Sequence, residues 1–159
     1  MNIASLLAKK SGAPITIRPE QTVRDALAFL AKHNIGALIV VNAASTPVGI
    51  VSERDIVREA ARNEQVFARA VSEIMTRDVI TGVPQDDLAS VANLMTEKRI
   101  RHLPVVTGGK LIGIIHSPLP NGALFWAWSA PSAIPAALAG SYGAVAALLW
   151  LLGDASARS

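Results

Sequence analysis

Two short stretches hold side chains whose types and spacing suit binding chemistry. Ser52 and Asp55 stand three positions apart in Ser52-Glu53-Arg54-Asp55. An Asp carboxylate can accept two hydrogen bonds from vicinal hydroxyls of a sugar. A hydroxyl at the start of a helix sits beside free backbone N–H groups suited to phosphate. The same spacing is also a capping box, which satisfies a helix start with no ligand at all; the two roles are compatible. The second stretch is Arg101-His102. Arg supplies a fixed fork of donors for anionic oxygens and His adds one more. The alternative for this pair is a solvated loop arginine and a partly buried histidine.

Other chemistries find no support. There is no Cys, which excludes a disulfide scaffold, a thiolate metal site and a Cys nucleophile. The three histidines, His33, His102 and His116, lack metal-ligand spacing. No Gly-x-Ser-x-Gly elbow, Walker loop or Gly-x-Gly-x-x-Gly occurs. Glu53, Asp55, Glu59, Asp86 and Asp87 fall on expected helix starts and faces, where solvated capping is the expected job. The net charge of +3 is too small for a nucleic-acid footprint. The basic residues at 9, 10, 98, 99, 101 and 110 could form a patch, but aromatics for base stacking are missing there, so nucleic acid is not an expected partner.

The elements that must position these residues follow from an internal repeat. Ile15-Thr16-Ile17-Arg18-Pro19 matches Ile80-Thr81-Gly82-Val83-Pro84 at an offset of 65. The same offset pairs Val23, Ala26, Leu27 and Leu30 with Leu88, Val91, Ala92 and Met95. A one-residue slip then brings Gly49-Ile50-Val51 onto Gly113-Ile114-Ile115. Each unit reads β-α-β-β-α. A short strand ends at Pro19 or Pro84. A helix follows, capped by Thr22 or Asp87, with apolar positions spaced for one face. Ala37 to Val41 is a continuous apolar run rich in β-branched residues and reads as a buried strand. A second strand, Val48 to Val51, leads into a helix from after Ser52 to about Arg62. The second copy turns at Gly108-Gly109, continues to Ile115 and lacks the final helix. One such unit cannot cover both faces of its sheet, whereas two packed face to face can, with a ligand cleft between them.

The repeat resembles the cystathionine-β-synthase (CBS) domain, and the pair resembles a Bateman module. The matching pieces are Ile35 to Val41 followed by Gly49 to Val57 in the first copy. In the second they are Val71 to Thr76, Ile100 to Val106 and Gly113 to Ile115. The expected fold class is therefore α/β (α+β): two β-α-β-β-α repeats, at residues 3–64 and 71–117, packed face to face by pseudo-two-fold symmetry. An atypical apolar tail, 118–159, follows. The resemblance implies a regulatory module for an adenosine-containing ligand, with no catalytic chemistry and no obligatory cofactor. The ligand stays open among AMP, ADP, ATP, S-adenosylmethionine and NAD(H). Ser52 and Asp55 would be the ribose signature, and Arg101 and His102 the phosphate pair. Thr16 and Thr81 would be base-side or phosphate-side contacts; ordinary β-branched strand residues are the alternative. The family pattern assembles two clefts. One combines Ser52 and Asp55 with Thr81 and Val83, and the other combines Arg101 and His102 with Thr16 and Arg18. In the second cleft Leu119 stands where the ribose Asp belongs, and His116 replaces Ser or Thr. The first cleft is expected to be the better nucleoside site. Similar modules form homodimers, and the apolar faces of helices 23–31 and 88–96 are expected to serve that contact. The regulated protein partner is not readable.

The tail breaks with this pattern. No Asp, Glu, Lys or Arg occurs between Lys110 and Asp154. Overall, 51% of the chain is apolar and 17% charged, against about 25% charged in ordinary soluble domains. Three readings stay open for the tail. Residues 134–152 form an uncharged run of 19, near the span of a membrane, which would tether the module to the inner face. An Ala-rich helix could instead cover the sheet. A shifted reading frame after Ile115 would also produce such a change. The amino terminus lacks the features of a secretory signal, so a cytoplasmic location is expected.

Overall fold

The computed structural model describes residues 1–8 and 13–116. The expectations for the tail and for the missing last helix of the second repeat lie outside the described residues.

In the first repeat, strand β1 (Thr16–Ile17) runs parallel to β2 (Ala37–Val41), which pairs antiparallel with β3 (Pro47–Ser52). All five residues of β2 are buried. A strand covered on both faces has no reason to alternate polar and apolar residues, which explains its continuous apolar run. Helix α2 (Val23–His33) starts at a capping box. Thr22 Oγ1 accepts from the Asp25 N–H at 3.1 Å, and Asp25 Oδ2 accepts from the Thr22 N–H at 2.9 Å. The helix stops at Asn34, whose left-handed backbone (φ 52°) turns the chain toward β2. Its Val23, Ala26, Leu27 and Leu30 enter the core with Leu38, Val40, Val51 and Ile56. Helix α3 (Glu53–Ala60) follows β3 without a break.

The second repeat has α4 (Leu88–Glu97) followed by the antiparallel pair β4 (His102–Thr107) and β5 (Lys110–His116). Asp87 Oδ2 accepts from the Ala89 and Ser90 N–H groups, as expected of a cap. The β4–β5 turn places Gly108 and Gly109 at φ 56° and 77°, a region open to glycine at little cost.

Two expectations need correction. The first strand of the second repeat, expected to end at Pro84, shrinks to one parallel bridge between Gly82 and Val105. Gly82 occupies the place of Ile17, brings no side chain to the core and weakens a strand. Its N–H still donates to Pro104 O, and its carbonyl accepts from the Val106 N–H, both at 2.9 Å. The apolar faces of α2 and α4 are not free for a dimer contact either. Val23, Ala26, Leu27, Leu30, Val91 and Met95 are all buried inside their own repeats, because each two- or three-stranded sheet needs that helix to cover it.

The segments that lead into the two repeats are exchanged. Helix α1 (Ile3–Leu7), grouped by sequence with the first repeat, packs on the second core with Val91, Met95, Leu103 and Ile115. The matching segment before the second repeat, including Val71 and Met75, packs on the first core. The hydrogen bonds repeat the same pattern. Val71 N–H donates to Gln21 O and Val23 N–H to Arg69 O; Ile3 N–H donates to Asp86 O and Leu88 N–H to Met1 O. Each exchanged segment also seats a side chain on a glycine of the opposite sheet. A Cβ on Gly49 would come within 2.4 Å of Met75 Sδ, and one on Gly113 within 2.7 Å of Leu7 Cδ2. Gly49→Val should therefore cost roughly 1–3 kcal/mol by overpacking, read as a lower urea midpoint. An unchanged midpoint would mean that residues 71–76 move aside freely.

Candidate functional site

The first repeat presents its polar residues where β3 runs into α3. Val51 and Ile56, both fully buried, anchor the two sides of this junction. Ser52 is the last residue of β3, opposite Ala37 of β2, and caps α3. The box is complete. Asp55 Oδ2 accepts from the Ser52 N–H at 2.9 Å and from Ser52 Oγ at 2.7 Å. Ser52 Oγ accepts in turn from the Asp55 N–H at 3.3 Å. The Oδ1 oxygen of Asp55 is not used by the box. The α3 start is tied to β2 by the Glu53 N–H, which donates to Gly36 O at 3.0 Å.

The remaining sequence candidates are distributed as follows. Thr16 is half-buried on β1 beside Ile39. The Arg18 guanidinium donates to the carbonyls of Asn42 and Val41, so it braces the far end of β2. Thr81 and Val83 are exposed and flank the buried Gly82. Among the described residues, no hydrogen bond joins Ser52 or Asp55 to Thr81 or Val83. A ligand using all four would itself make the bridge.

The second repeat builds a different surface at the matching junction. His102 opens β4 and His116 closes β5, directly opposite one another. Their rings stack with centroids 4.6 Å apart and a tilt of 31°. This pair takes the place of Ala37 and Ser52 in the first repeat. Arg101 stands exposed just before it. Burial pushes the His102 imidazole down to about 3, with the neighbouring His116 and Arg101 adding to the effect. His116 is lowered by burial and by Arg101, against a backbone hydrogen bond at Arg101 that favours its charged form.

Glu53 was expected to be a solvated capping residue. It is instead half-buried, with Oε2 shut from solvent and without a hydrogen-bond partner among the described residues. Burial raises its pKa, while Arg101 and Arg54 act in the opposite sense. The effect of Arg101 on Glu53 links the two repeats. No local signal in the sequence marks Glu53: a Cβ at Gly36 would lie 3.8 Å from Glu53 Oε1, an ordinary van der Waals contact. The other acidic residues do behave as caps or surface partners. Asp86 Oδ2 accepts from the Val83 N–H at 2.8 Å, and Glu59 pairs with Arg62 and Arg69.

A separate open groove of about 530 Å³ lies along the linker, lined by residues including Arg24, Phe67, Arg69 and Glu73, and holds none of these candidates. Among the described residues, no group of three or more His, Asp or Glu could hold a metal ion. No helix among them is long and apolar enough to cross a membrane.

Known proteins share this arrangement. The chain is 32% identical over 100 residues to the CBS domain-containing protein YhcV of Bacillus subtilis, covering 63% of this chain and 71% of that one. It superposes on the solved CBS domain pair of protein MJ0100 with a TM-score of 0.64 at 31% identity, covering 74% of this chain and 90% of that one. That pair was solved in complex with 5′-methylthioadenosine and S-adenosyl-L-methionine. Solved CBSX2, in complex with AMP, gives a TM-score of 0.57 at 30% identity, covering 65% and 81%. Longer proteins match as well; the shared stretch is 24% of an inosine-5′-monophosphate dehydrogenase from Nitrosopumilus maritimus. The CBS domain model matches residues 10–62 and 71–117. With two such repeats, joined by exchanged lead-in segments, the chain belongs to the CBS domain family.

Proposed function

We propose that this CBS pair is a regulatory module that takes an adenosine-containing ligand between its repeats. The observation that carries the reading is the shared architecture with CBS pairs solved around adenosyl ligands. Here Ser52 and Asp55 contribute a diol-binding helix start, with Asp55 Oδ1 open for a ribose hydroxyl. Arg101 and His102 contribute donors for phosphate. Thr81 and Val83 complete the first cleft, and Thr16 and Arg18 the second. The module performs no reaction of its own; enzymes among its relatives are far longer chains, of which the shared stretch is 24% and 20%. Occupancy shifts the population between arrangements of the two repeats, and a partner protein reads the difference. In this reading the module works in the cytoplasm as a homodimer, through a surface other than the buried faces of α2 and α4.

Thermal melting of the full chain with adenosine, AMP, ATP and S-adenosylmethionine tests this. A ligand at 100 times its Kd should add about 2.7 kcal/mol of stability. Asp55→Ala should remove that gain while itself costing about 0.5–1.5 kcal/mol through loss of its half of the capping box. A ligand gain that survives in Asp55→Ala would overturn the role given to Asp55. A second reading, a ligand-free interaction module, is favoured by one observation: Ser52, Asp55 and Arg18 are already engaged within the protein. It predicts no shift with any of the four ligands.

A further inference from the structure

The two buried side-chain polar atoms that lack a hydrogen-bond partner among the described residues are Glu53 Oε2 and His116 Nδ1. One belongs to each repeat: Glu53 opens α3 just after β3, and His116 closes β5. Buried polar groups are ordinarily paired, so two orphans in one neighbourhood call for an explanation. Beside His116 stands the stacked His102 ring on β4, with Arg101 just before it in the chain. Arg54 also acts on Glu53 from α3 itself. The charge of Arg101 bears on Glu53, His102 and His116 alike. It is therefore the common neighbour of three titratable groups that come from α3, β4 and β5. Where the second repeat has Arg101, the first has Gly36 with the Glu53 carboxylate laid against it.

We propose that Glu53, His102 and His116 read the charge at the tail of the bound ligand, so that a phosphorylated nucleoside enters together with protons and an uncharged nucleoside enters without them. This rests on the adenosyl reading above and extends it to ligand class and to pH. Three groups act in the same sense. A phosphate beside Arg101 adds negative charge, which favours imidazolium at His102 and His116 and favours the neutral acid at Glu53. Without the anion, burial holds both imidazoles neutral. Protonated His116 gains a donor at Nδ1, which ends its unpartnered state against a phosphate oxygen. Protonated Glu53 no longer repels the tail. By linkage, affinity for the phosphorylated ligand rises as pH falls, by about tenfold per pH unit for each proton taken up.

The test is calorimetry of the full chain with ATP and with adenosine at pH 7, in two buffers of different ionisation enthalpy, which counts protons taken up on binding. The same titrations on His116→Asn and Glu53→Gln separate the protein's protons from those of the ATP phosphates, which all three proteins share. The expected result is greater uptake with ATP in the wild type than in either variant, and no difference between proteins with adenosine. Two variants keep the test alive if one folds poorly. ATP binding with equal uptake in all three proteins would overturn this inference and leave the adenosyl module standing. Failure of both ligands to bind would overturn both.

Discussion

Lowering the pH from 7 to 5 is expected to cost the fold about 2 kcal/mol through His102 alone. The folded imidazole is pushed down to about 3, first by burial and then by His116 and Arg101. In the unfolded chain it would titrate near 6.5. A group whose folded pKa is depressed favours the unfolded state once protonated. Its contribution is therefore complete above 6.5 and is lost progressively as the pH falls toward 3. His116 is lowered in the same direction and adds to the loss. Against a typical domain stability of about 5–15 kcal/mol, this is enough to make the second repeat the acid-labile part. Urea titrations at pH 7.5, 6 and 5, on wild type and on His102→Asn, would show it. The wild type should lose stability more steeply than the variant. Parallel pH profiles would mean that His102 protonates freely in the folded protein. If phosphorylated ligands bind with protons, saturating ATP should also flatten the wild-type profile.

Ile3→Ala is expected to destabilise the protein by roughly 2–5 kcal/mol, a large effect for a residue beside the chain terminus. Ile3 is fully buried, and its neighbours Val91, Met95, Leu103 and Ile115 belong to the second repeat. Truncation would leave a cavity among side chains held by β4, β5 and α4, which cannot collapse around it without moving the sheet. The two α1 hydrogen bonds to the loop before α4, from Ile3 N–H to Asp86 O at 3.0 Å and from Ala4 N–H to Pro84 O at 2.8 Å, would fray with it. Equilibrium denaturation gives the midpoint, and hydrogen exchange locates the loss. Protection should fall in β4 and β5 more than in β2. A loss below about 0.5 kcal/mol, the size of an ordinary surface change, would show that α1 is not part of the second core.

These two results bear on the same feature. The exchanged lead-in segments make each repeat depend on chain from before the other. A cut between residues 64 and 71, at the boundary read from sequence, would leave each half without its covering segment. The first repeat would lose Val71 and Met75, and the second would lose Ile3 and Leu7. The pair is therefore the folding unit.

The local structure that carries the candidate residues could be read from residue types. The Ser52–Asp55 box, the Thr22–Asp25 box and the Asp87 cap depend on contacts within four residues, and the structure forms all three. Arg101 and His102 stand out by their chemistry at the position matching Gly36 and Ala37. Glu53 did not stand out, because a carboxylate at a helix start is ordinarily solvated, and its burial here depends on what packs around it. Arg18 was read as a cleft residue, and only the structure shows that its guanidinium also donates to the carbonyls at the end of β2.

By itself, then, the sequence determined the repeat, the order of its elements, the buried β2 run and the helix starts. All of these follow from short-range periodicity, caps and turn residues, which act between neighbours in the chain. Only the tertiary structure decided which core receives Ile3 and which receives Val71, since each apolar side chain would suit either core equally well by type. It also decided that the strand expected at 80–84 survives as one bridge at Gly82, and that Glu53 and His116 bury atoms unpaired among the described residues. Those outcomes depend on what packs across from a residue, and packing across the pseudo-two-fold axis leaves no mark in local sequence.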